Sequence, residues 1–118
     1  MITNKQILQR FAELDQEAQA ILATNHGDPE YPKILFVDGN RVFTWVKNIL
    51  SLLRSIFSKD SEQYQQFSTI YHGDRDYNTF KDYYAVFTSI YTGFEKSLIR
   101  TTTVGGVLEQ TKTLLGTG

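Results

Sequence analysis

The sequence predicts an all-α fold, a bundle of four to five helices around one central apolar helix at about residues 40–57. Two observations carry this prediction. Apolar residues recur at every third or fourth position through most of the chain, which is the spacing of one helix face. The stretch NRVFTWVKNILSLLRSIF, residues 40–57, is apolar over most of its circumference. A chain of 118 residues is long enough for one domain with a buried core.

The central helix carries its polar residues in one narrow stripe, so its neighbours must cover the remaining surface on two or three sides. The alternative is that its apolar face lines a ligand pocket, as in some bundles. No polar side chains converge on that face, and we therefore favour a packed core. The stretch is too short and too interrupted to span a bilayer, which needs about 20 apolar residues. The polar stripe consists of Thr44, Lys47, Asn48, Ser51, Arg54 and Ser55.

A first helix is predicted to begin after Thr3 and to reach about residue 24. Thr3 and Gln6 have the spacing of a capping box, in which each side chain accepts a hydrogen bond from the other residue's backbone N–H. The face predicted to pack on the core consists of Ile7, Phe11, Leu14 and Ala18, with Ile21 or Leu22.

Residues 25–39 contain both prolines of the chain and break the helical period. The segment KILFV could be extended, but no partner strand is visible for it. We therefore predict a loop that packs the apolar residues 34–36 onto the bundle. Asp38 or Asn40 is predicted to cap the central helix, because a side-chain oxygen there can accept hydrogen bonds from the first free backbone N–H groups.

A short third helix is predicted after the central one. Asp60 or Ser61 has the residue type of an N-cap, and Glu62 is favourable in a first helical turn. Phe67 lies on the face predicted to pack on the core. A second loop is predicted over residues 72–77.

The last segment, from about residue 78, has aromatic and apolar residues at alternating spacings of four and three, which is heptad-like. We predict a helix to about residue 100. The threonines 101–103 and the following glycines have low helix propensity, so we predict a break there. A final helix is predicted near 104–115, ended by Gly116. The heptad positions are Phe80, Tyr84, Phe87, Tyr91, Phe94 and Leu98.

The composition excludes some classes of site. The chain has no cysteine, which rules out disulfides, thiolate zinc sites and cysteine nucleophiles. Residues 1–20 carry charges throughout and show no apolar run typical of a signal peptide. These features fit a reducing compartment, and we predict a cytoplasmic protein. We predict no cofactor and no catalytic residues, because no arrangement of serine, histidine and acid can be assembled.

The net charge of −1 argues against a general nucleic-acid binder, but the charge is unevenly distributed. Residues 40–59 hold four basic residues and no acid, whereas residues 60–79 have a local charge of −3. Lys47 and Arg54 share one face of the central helix, and Arg41 lies near its start. One hypothesis is that these three side chains bind phosphate groups of a nucleic acid or nucleotide. The other, which we favour, is a solvated stripe neutralised by the acids of the following stretch.

The two histidines, His26 and His72, stand in similar strings, HGDPE and HGDRD. One hypothesis joins them with Asp28 and Asp74 in a metal site, since imidazole and carboxylate suit zinc, iron or manganese. The interpretation that we favour is local. Each histidine complements a helix dipole, each glycine takes the left-handed position after a helix, and each aspartate begins a loop. We therefore predict no metal site.

Three tyrosines of the last helix, Tyr83, Tyr84 and Tyr91, are the candidate interaction residues. Their hydroxyls could lie at the edge of the bundle or at an interface, where tyrosine is enriched. The alternative, which we favour, is that they are ordinary residues of the core and its rim.

One stretch resembles a known family. The string FTWVKNILSLLRSIFSKDSEQYQQF, residues 43–67, is similar to a segment of bacterial abortive-infection and nucleotide-sensing (TIR-like) defence proteins. There, an aromatic residue and a tryptophan open a helix that ends in xLLxxIFGxDS. The closing GGVLEQTKTLLGTG, residues 105–118, is similar to the family's final helix. In this chain Ser58 replaces the family's glycine, which weakens the expected left-handed turn. The matching residues are Phe43, Trp45, Leu52, Leu53, Ile56, Phe57, Asp60, Ser61, Tyr64 and Phe67.

The resemblance implies an N-terminal helical module, either a piece of a longer protein with an effector or sensor domain or a stand-alone relative. It carries no catalytic residue over. We expect residues 1–118 to form a single helical domain that acts as a non-enzymatic protein-interaction or oligomerisation module of a bacterial defence or signalling protein. The expected partner is a protein or a second copy, and neither a nucleic acid nor a membrane. The alternative is a nucleic-acid or nucleotide-binding domain that uses the basic residues of the central helix.

Overall fold

The structure, a computed structural model, describes residues 2–104, with side chains described to residue 98. This part of the chain contains four helices and a two-stranded antiparallel sheet. The predicted all-α class is therefore met only roughly, because the helices form but the sheet was not expected. In chain order the elements are α1 (Asn4–Leu22), β1 (His26–Asp28), β2 (Tyr31–Phe36), α2 (Gly39–Ile56), α3 (Glu62–Ile70) and α4 (Tyr77–Val104).

The first helix begins as the sequence predicts. The Thr3 hydroxyl accepts the backbone N–H of Gln6 at 3.1 Å, and the Gln6 side chain accepts the backbone N–H of Thr3 at 2.8 Å. This confirms the capping box, which satisfies backbone donors that have no partner inside a helix. The buried face of α1 is the predicted one, with Ile21 rather than Leu22 fully buried: Ile7, Phe11, Leu14, Ala18 and Ile21.

The segment predicted as a loop before α2 is a β-hairpin, and that prediction is wrong. β2 has a partner in the three-residue strand β1, with Gly27 opposite Leu35 and an irregular register beyond it. The Asp28 carboxylate accepts the backbone N–H of Glu30 at 2.9 Å, which closes the turn. Aspartate followed by proline is typical of the first two positions of such a turn. The hairpin therefore forms from residues close together in the chain.

The central helix is α2, and α1, α3 and α4 all contact it, as predicted. Asp38 is its N-cap and accepts the backbone N–H groups of Asn40 and Arg41. Phe43 is an exception to the predicted apolar arc, because it borders the polar stripe and is 51% exposed. The buried residues of α2 are Val42, Trp45, Val46, Ile49, Leu52 and Leu53.

Trp45 joins α2 to the other three helices. Its indole N–H donates to the backbone carbonyl of Leu14 in α1 at 2.8 Å. Its ring centroid lies 5.9 Å from that of Phe67 in α3, and 5.0 Å and 5.5 Å from those of Phe80 and Phe87 in α4. Since a buried indole N–H needs an acceptor, the tryptophan fixes both the spacing and the rotation of α1 against α2.

The connection between α2 and α3 contains an unusual backbone conformation. Ser58 has φ 143°, in the region that side chains rarely adopt and glycine tolerates. Its carbonyl accepts both the backbone N–H and the hydroxyl of Ser61, at 3.2 Å and 2.7 Å. Ser61 in turn caps α3 by accepting the backbone N–H of Tyr64 at 3.1 Å. The turn that serine was expected to weaken is thus present, and the predicted capping by Asp60 or Ser61 resolves to Ser61.

The last helix is longer than predicted, and its core face includes most of the predicted residues with Tyr83 and Ile90 in addition. α4 passes through the threonines 101–103 without a break and is described to Val104. The predicted final helix that Gly116 ends lies in the stretch 105–118, outside the described residues. At its start, the Asp76 carboxylate accepts the backbone N–H of Thr79 at 2.9 Å. Up to residue 98, the buried residues of α4 are Phe80, Tyr83, Phe87 and Ile90, and Tyr84, Tyr91 and Phe94 are partly buried.

We expect Trp45→Phe to lower the free energy of unfolding by about 2 kcal/mol, because it removes one buried hydrogen bond and leaves a cavity beside Leu14. The matched control is Phe43→Leu, one half-turn earlier on the same helix, where an exposed change should cost less than about 0.5 kcal/mol. Urea unfolding followed by circular dichroism measures both. Equal effects of the two substitutions would contradict the role given to Trp45.

Ser58→Gly should raise the free energy of unfolding by about 0.5–1 kcal/mol, because glycine adopts a positive φ without strain. Ser58→Ala is the control, since it retains the Cβ and removes only the hydroxyl. The same urea titrations compare the two variants. A glycine variant that is less stable than the alanine variant would show that the backbone at this position is not strained.

Candidate functional site

The candidate interaction tyrosines do not form a common exposed surface. Tyr83 is 1% exposed, and its hydroxyl oxygen accepts the backbone N–H of His72 at 3.3 Å. It lies in the core, where a partner chain cannot reach it. The Tyr84 hydroxyl donates to the Asp15 carboxylate at 2.6 Å and links α4 to α1. Tyr91 stacks on Phe11 with ring centroids 4.8 Å apart. All three side chains therefore join parts of this chain to one another.

The candidate phosphate-binding cations are divided between two faces of α2. Arg41 donates from Nε and Nη2 to the Glu17 carboxylate of α1, at 3.2 Å and 3.0 Å. Lys47 and Arg54 are exposed, and the Lys47 ammonium lies 5.3 Å from the ring centroid of Phe43. The acid that neutralises Arg41 comes from α1 instead of the stretch after α2. The three cations thus do not converge on one anion site.

A groove of about 520 Å³ runs between α1 and α2 beside Arg41. Leu14 and Trp45 contribute to its lining, together with the ion pairs of Arg41 with Glu17 and of Arg10 with its helix neighbour. The side chains of both pairs are more than 40% exposed, so each pair contributes little to stability. The groove carries both signs of charge in equal number and does not select an anion.

The local interpretation of the histidines is wrong except for Gly73, because neither histidine lies in the last turn of a helix: α1 ends at Leu22 and α3 at Ile70. His26 belongs to strand β1, and the side chains of Thr24 and Asn25 donate to the last carbonyls of α1 in its place. Gly73 does adopt the expected positive φ, at 80°, in the loop that follows α3 and His72. Among residues 2–104, no group of three or more histidine and acid side chains is placed to hold a metal ion.

The hairpin carries exposed apolar side chains, and the prediction that Ile34 and Leu35 pack onto the bundle is wrong. Tyr31 is 53% exposed, Ile34 is 39% exposed and Leu35 is 45% exposed. We call these three side chains the hairpin surface. Ile34 and Leu35 are neighbours in β2 and therefore project from opposite faces of the hairpin. Both faces of the hairpin thus carry exposed apolar side chains, which are a feature of interaction sites. The signal for a hairpin was present in the sequence, as the Asp28–Pro29 turn residues between two short segments.

Phe36 attaches the hairpin to the helices. The Arg75 guanidinium lies 5.2 Å from the centroid of its ring, and the rings of His26 and Tyr31 lie 6.3 Å and 6.2 Å away. Phe36 also forms an isolated antiparallel bridge with Asp76, before α4. Contacts of Phe36 with Arg75 and Asp76 therefore hold the base of the hairpin, whereas the three side chains of the hairpin surface are exposed.

The hairpin leaves strand edges without partners in the described part of the chain. Its sheet has only the two strands β1 and β2, and the bridge to Asp76 reaches only the end of β2. An unpaired edge presents backbone N–H and C=O groups that can add a further strand. Two-stranded sheets are also marginally stable by themselves, so an added strand would stabilise the hairpin.

Comparison with protein-family models, with curated proteins and with solved structures gives no match for this chain. The resemblance of residues 43–67 to bacterial defence proteins therefore stays a prediction. None of the helices described over residues 2–104 is long and apolar enough to cross a membrane.

The link between Tyr84 and Asp15 predicts a loss of stability in alkali. Burial, followed by the hydrogen bond to Asp15, raises the pKa of Tyr84 above 10.0. The folded state thus holds the proton of the Tyr84 hydroxyl more tightly than the unfolded state does. The stabilisation that this proton gives the folded state is complete below about pH 10 and is lost as the pH rises through the raised pKa. Tyr84→Phe should be about 1 kcal/mol less stable at pH 7 and should lose less stability between pH 9 and 11.

Urea unfolding at a series of pH values measures this difference. Tyr31→Phe is the control, because it removes a hydroxyl from an exposed ring of the hairpin surface. The assignment fails if Tyr84→Phe and the wild type lose stability in parallel above pH 9.

Proposed function

We propose that this chain is a non-enzymatic protein-interaction or oligomerisation module and that the hairpin surface makes the contact. The observation that carries the proposal is the exposure of Tyr31, Ile34 and Leu35 next to strand edges that no described residue pairs with along their length. Completing the burial of such side chains in an interface contributes about 1 kcal/mol each. Backbone groups at the open edge add hydrogen bonds that any extended partner can satisfy.

The alternative function, binding of a nucleic acid or nucleotide through the basic residues of α2, has less support. Lys47 and Arg54 are available on the exposed face of the helix, but Arg41 is held by Glu17. Two exposed cations on one helix are common on protein surfaces and do not by themselves select phosphate. The hairpin surface is the more distinctive feature, because its exposed apolar side chains lie beside strand edges that have no partner in the described part of the chain.

The proposed setting is the cytoplasm of a bacterium, in a defence or signalling protein. The lack of cysteine supports a reducing compartment. The resemblance of residues 43–67 supports the defence setting, and Ser58 adds to it. This serine stands where the similar proteins have glycine, and its φ of 143° is one that glycine favours.

The test is the mass of the full chain as a function of concentration, measured by size-exclusion chromatography with light scattering, together with pull-downs. We expect self-association or retention of a protein partner. The triple variant Tyr31→Thr, Ile34→Thr, Leu35→Thr should lose it, because threonine retains the strand propensity and removes the apolar surface.

Phe43→Thr is the matched control, since Phe43 is similarly exposed but lies on α2. A wild-type chain that stays strictly monomeric at high concentration and retains no partner would contradict the proposal. An undiminished association of the triple variant would show that the hairpin surface is not the contact.

A further inference from the structure

Strand β1 has an open edge and a sequence that is complementary to itself. Its residues are His26, Gly27 and Asp28, and among residues 2–104 only β2 pairs with it, along one edge. If two antiparallel copies of β1 meet with Gly27 at the two-fold axis, His26 of each copy stands opposite Asp28 of the other. Directly opposed residues of an antiparallel pair have their Cβ atoms about 4.5–5.5 Å apart, which allows an imidazole to donate to a carboxylate.

We propose that two copies of this chain pair through the outer edges of β1 and form a four-stranded antiparallel sheet in the order β2–β1–β1–β2. The inference rests on the proposed function and names its partner, a second copy. A two-fold interface of this kind stops at a dimer, because the same strand edge of each copy pairs with that of the other and no further edge of β1 is left.

The free atoms of His26 and Gly27 suit this pairing. The Nδ1 atom of His26 lies 3.0 Å from the carbonyl oxygen of Thr24, so Nε2 can donate to the second copy only in the imidazolium form, which carries a proton on both ring nitrogens. A Cβ added to Gly27 would meet no atom within 4 Å, so packing inside the chain does not require glycine there. Glycine within a strand often marks a place where another backbone approaches closely.

The outer edge of β2 is less suited to a second copy. Phe36 at its end already bridges to Asp76, and the next residue, Val37, donates its backbone N–H to the carbonyl of Arg75 at 2.9 Å. Pro32 within the strand has no N–H to donate. Among the described residues, the outer edge of β1 has neither a bridge to another segment nor a proline. We therefore assign the pairing between copies to the edge of β1.

Pairing of the β1 edges would also place the aromatic side chains of both hairpins in one sheet. Tyr31 and His26 both contact the ring of Phe36, so the new sheet would bring two such clusters together. A strand of three residues nevertheless forms a small interface, and small interfaces belong to weak and transient complexes. We therefore expect a dimer that depends on concentration.

The test uses two charge variants of the full chain, singly and mixed, in sedimentation velocity experiments. His26→Glu places two acids opposite each other, and Asp28→Lys places lysine opposite histidine. Each should weaken dimerisation about tenfold, because every change occurs twice in the interface. The equimolar mixture should dimerise again. In a mixed dimer, the introduced glutamate faces the introduced lysine, and the native His26 faces the native Asp28.

Restoration in the mixture requires that both variants fold, and thermal melts by circular dichroism check each one alone. Asp28→Lys also removes the acceptor for the backbone N–H of Glu30, so Asp28→Asn serves as a second variant that retains an acceptor. It should weaken dimerisation about threefold. The control is Lys59→Glu with Asp60→Lys, a charge exchange in the exposed loop after α2 that should change nothing.

The outcomes separate this inference from the proposed function. Self-association that the charge variants leave unchanged, or that the mixture does not restore, would overturn pairing through β1 and leave an interaction module in place. A chain that is monomeric at every concentration overturns the pairing as well. In that case, loss of a retained partner in the hairpin-surface triple variant would still support the proposed function.

Discussion

The fold depends on how Trp45 is held. Its indole N–H bonds to the Leu14 carbonyl of α1, and its ring lies among phenylalanines of α3 and α4. A buried N–H without an acceptor costs about 1–3 kcal/mol, so α1 can rotate or slide on α2 only at that cost. The aromatic rings pack at tilted and edge-on angles, which aromatic pairs prefer. One side chain therefore fixes the relative positions of all four helices described.

The parts of the fold that depend on neighbours in the chain could be predicted. The capping box of Thr3, the N-caps Asp38 and Ser61, and the buried faces of α1 and α2 all follow from residue type and spacing within a few positions. The threonines 101–103 show the limit of such reasoning. Their low propensity amounts to about 0.5 kcal/mol each, which the rest of a long helix outweighs.

The pairing partner of β2 and the exact rotation of α4 could not be predicted in the same way. Two of the three residues of β1, Gly27 and Asp28, have low strand propensity, and only the pairing with β2 makes the segment a strand. On α4, a heptad pattern placed Tyr84 at the seam, but Tyr83 is the buried residue. The rotation of α4 is set by Trp45 and by the loop amide of His72 that meets the Tyr83 hydroxyl, and neither contact is local.

The sequence was informative about the buried core and much less informative about the candidate site. The residues that carry the resemblance to defence proteins are mostly buried or partly buried residues of α2, α3 and the turn between them, so they indicate a way of packing and carry little information about a surface. The cations chosen from the sequence share a helix, but Glu17 withdraws Arg41 from the group. The hairpin surface became visible only once tertiary structure showed which apolar residues the core leaves uncovered.

Amide hydrogen exchange of the full chain under native conditions tests most directly the central claim, a fixed helical core that carries a hairpin of its own lower stability. The account predicts that amides of α2 from Trp45 to Leu53 exchange only through global unfolding. Amides of β1 and β2 should open at a clearly lower free energy at low protein concentration. Exchange of the α2 amides as fast as that of the hairpin would contradict it.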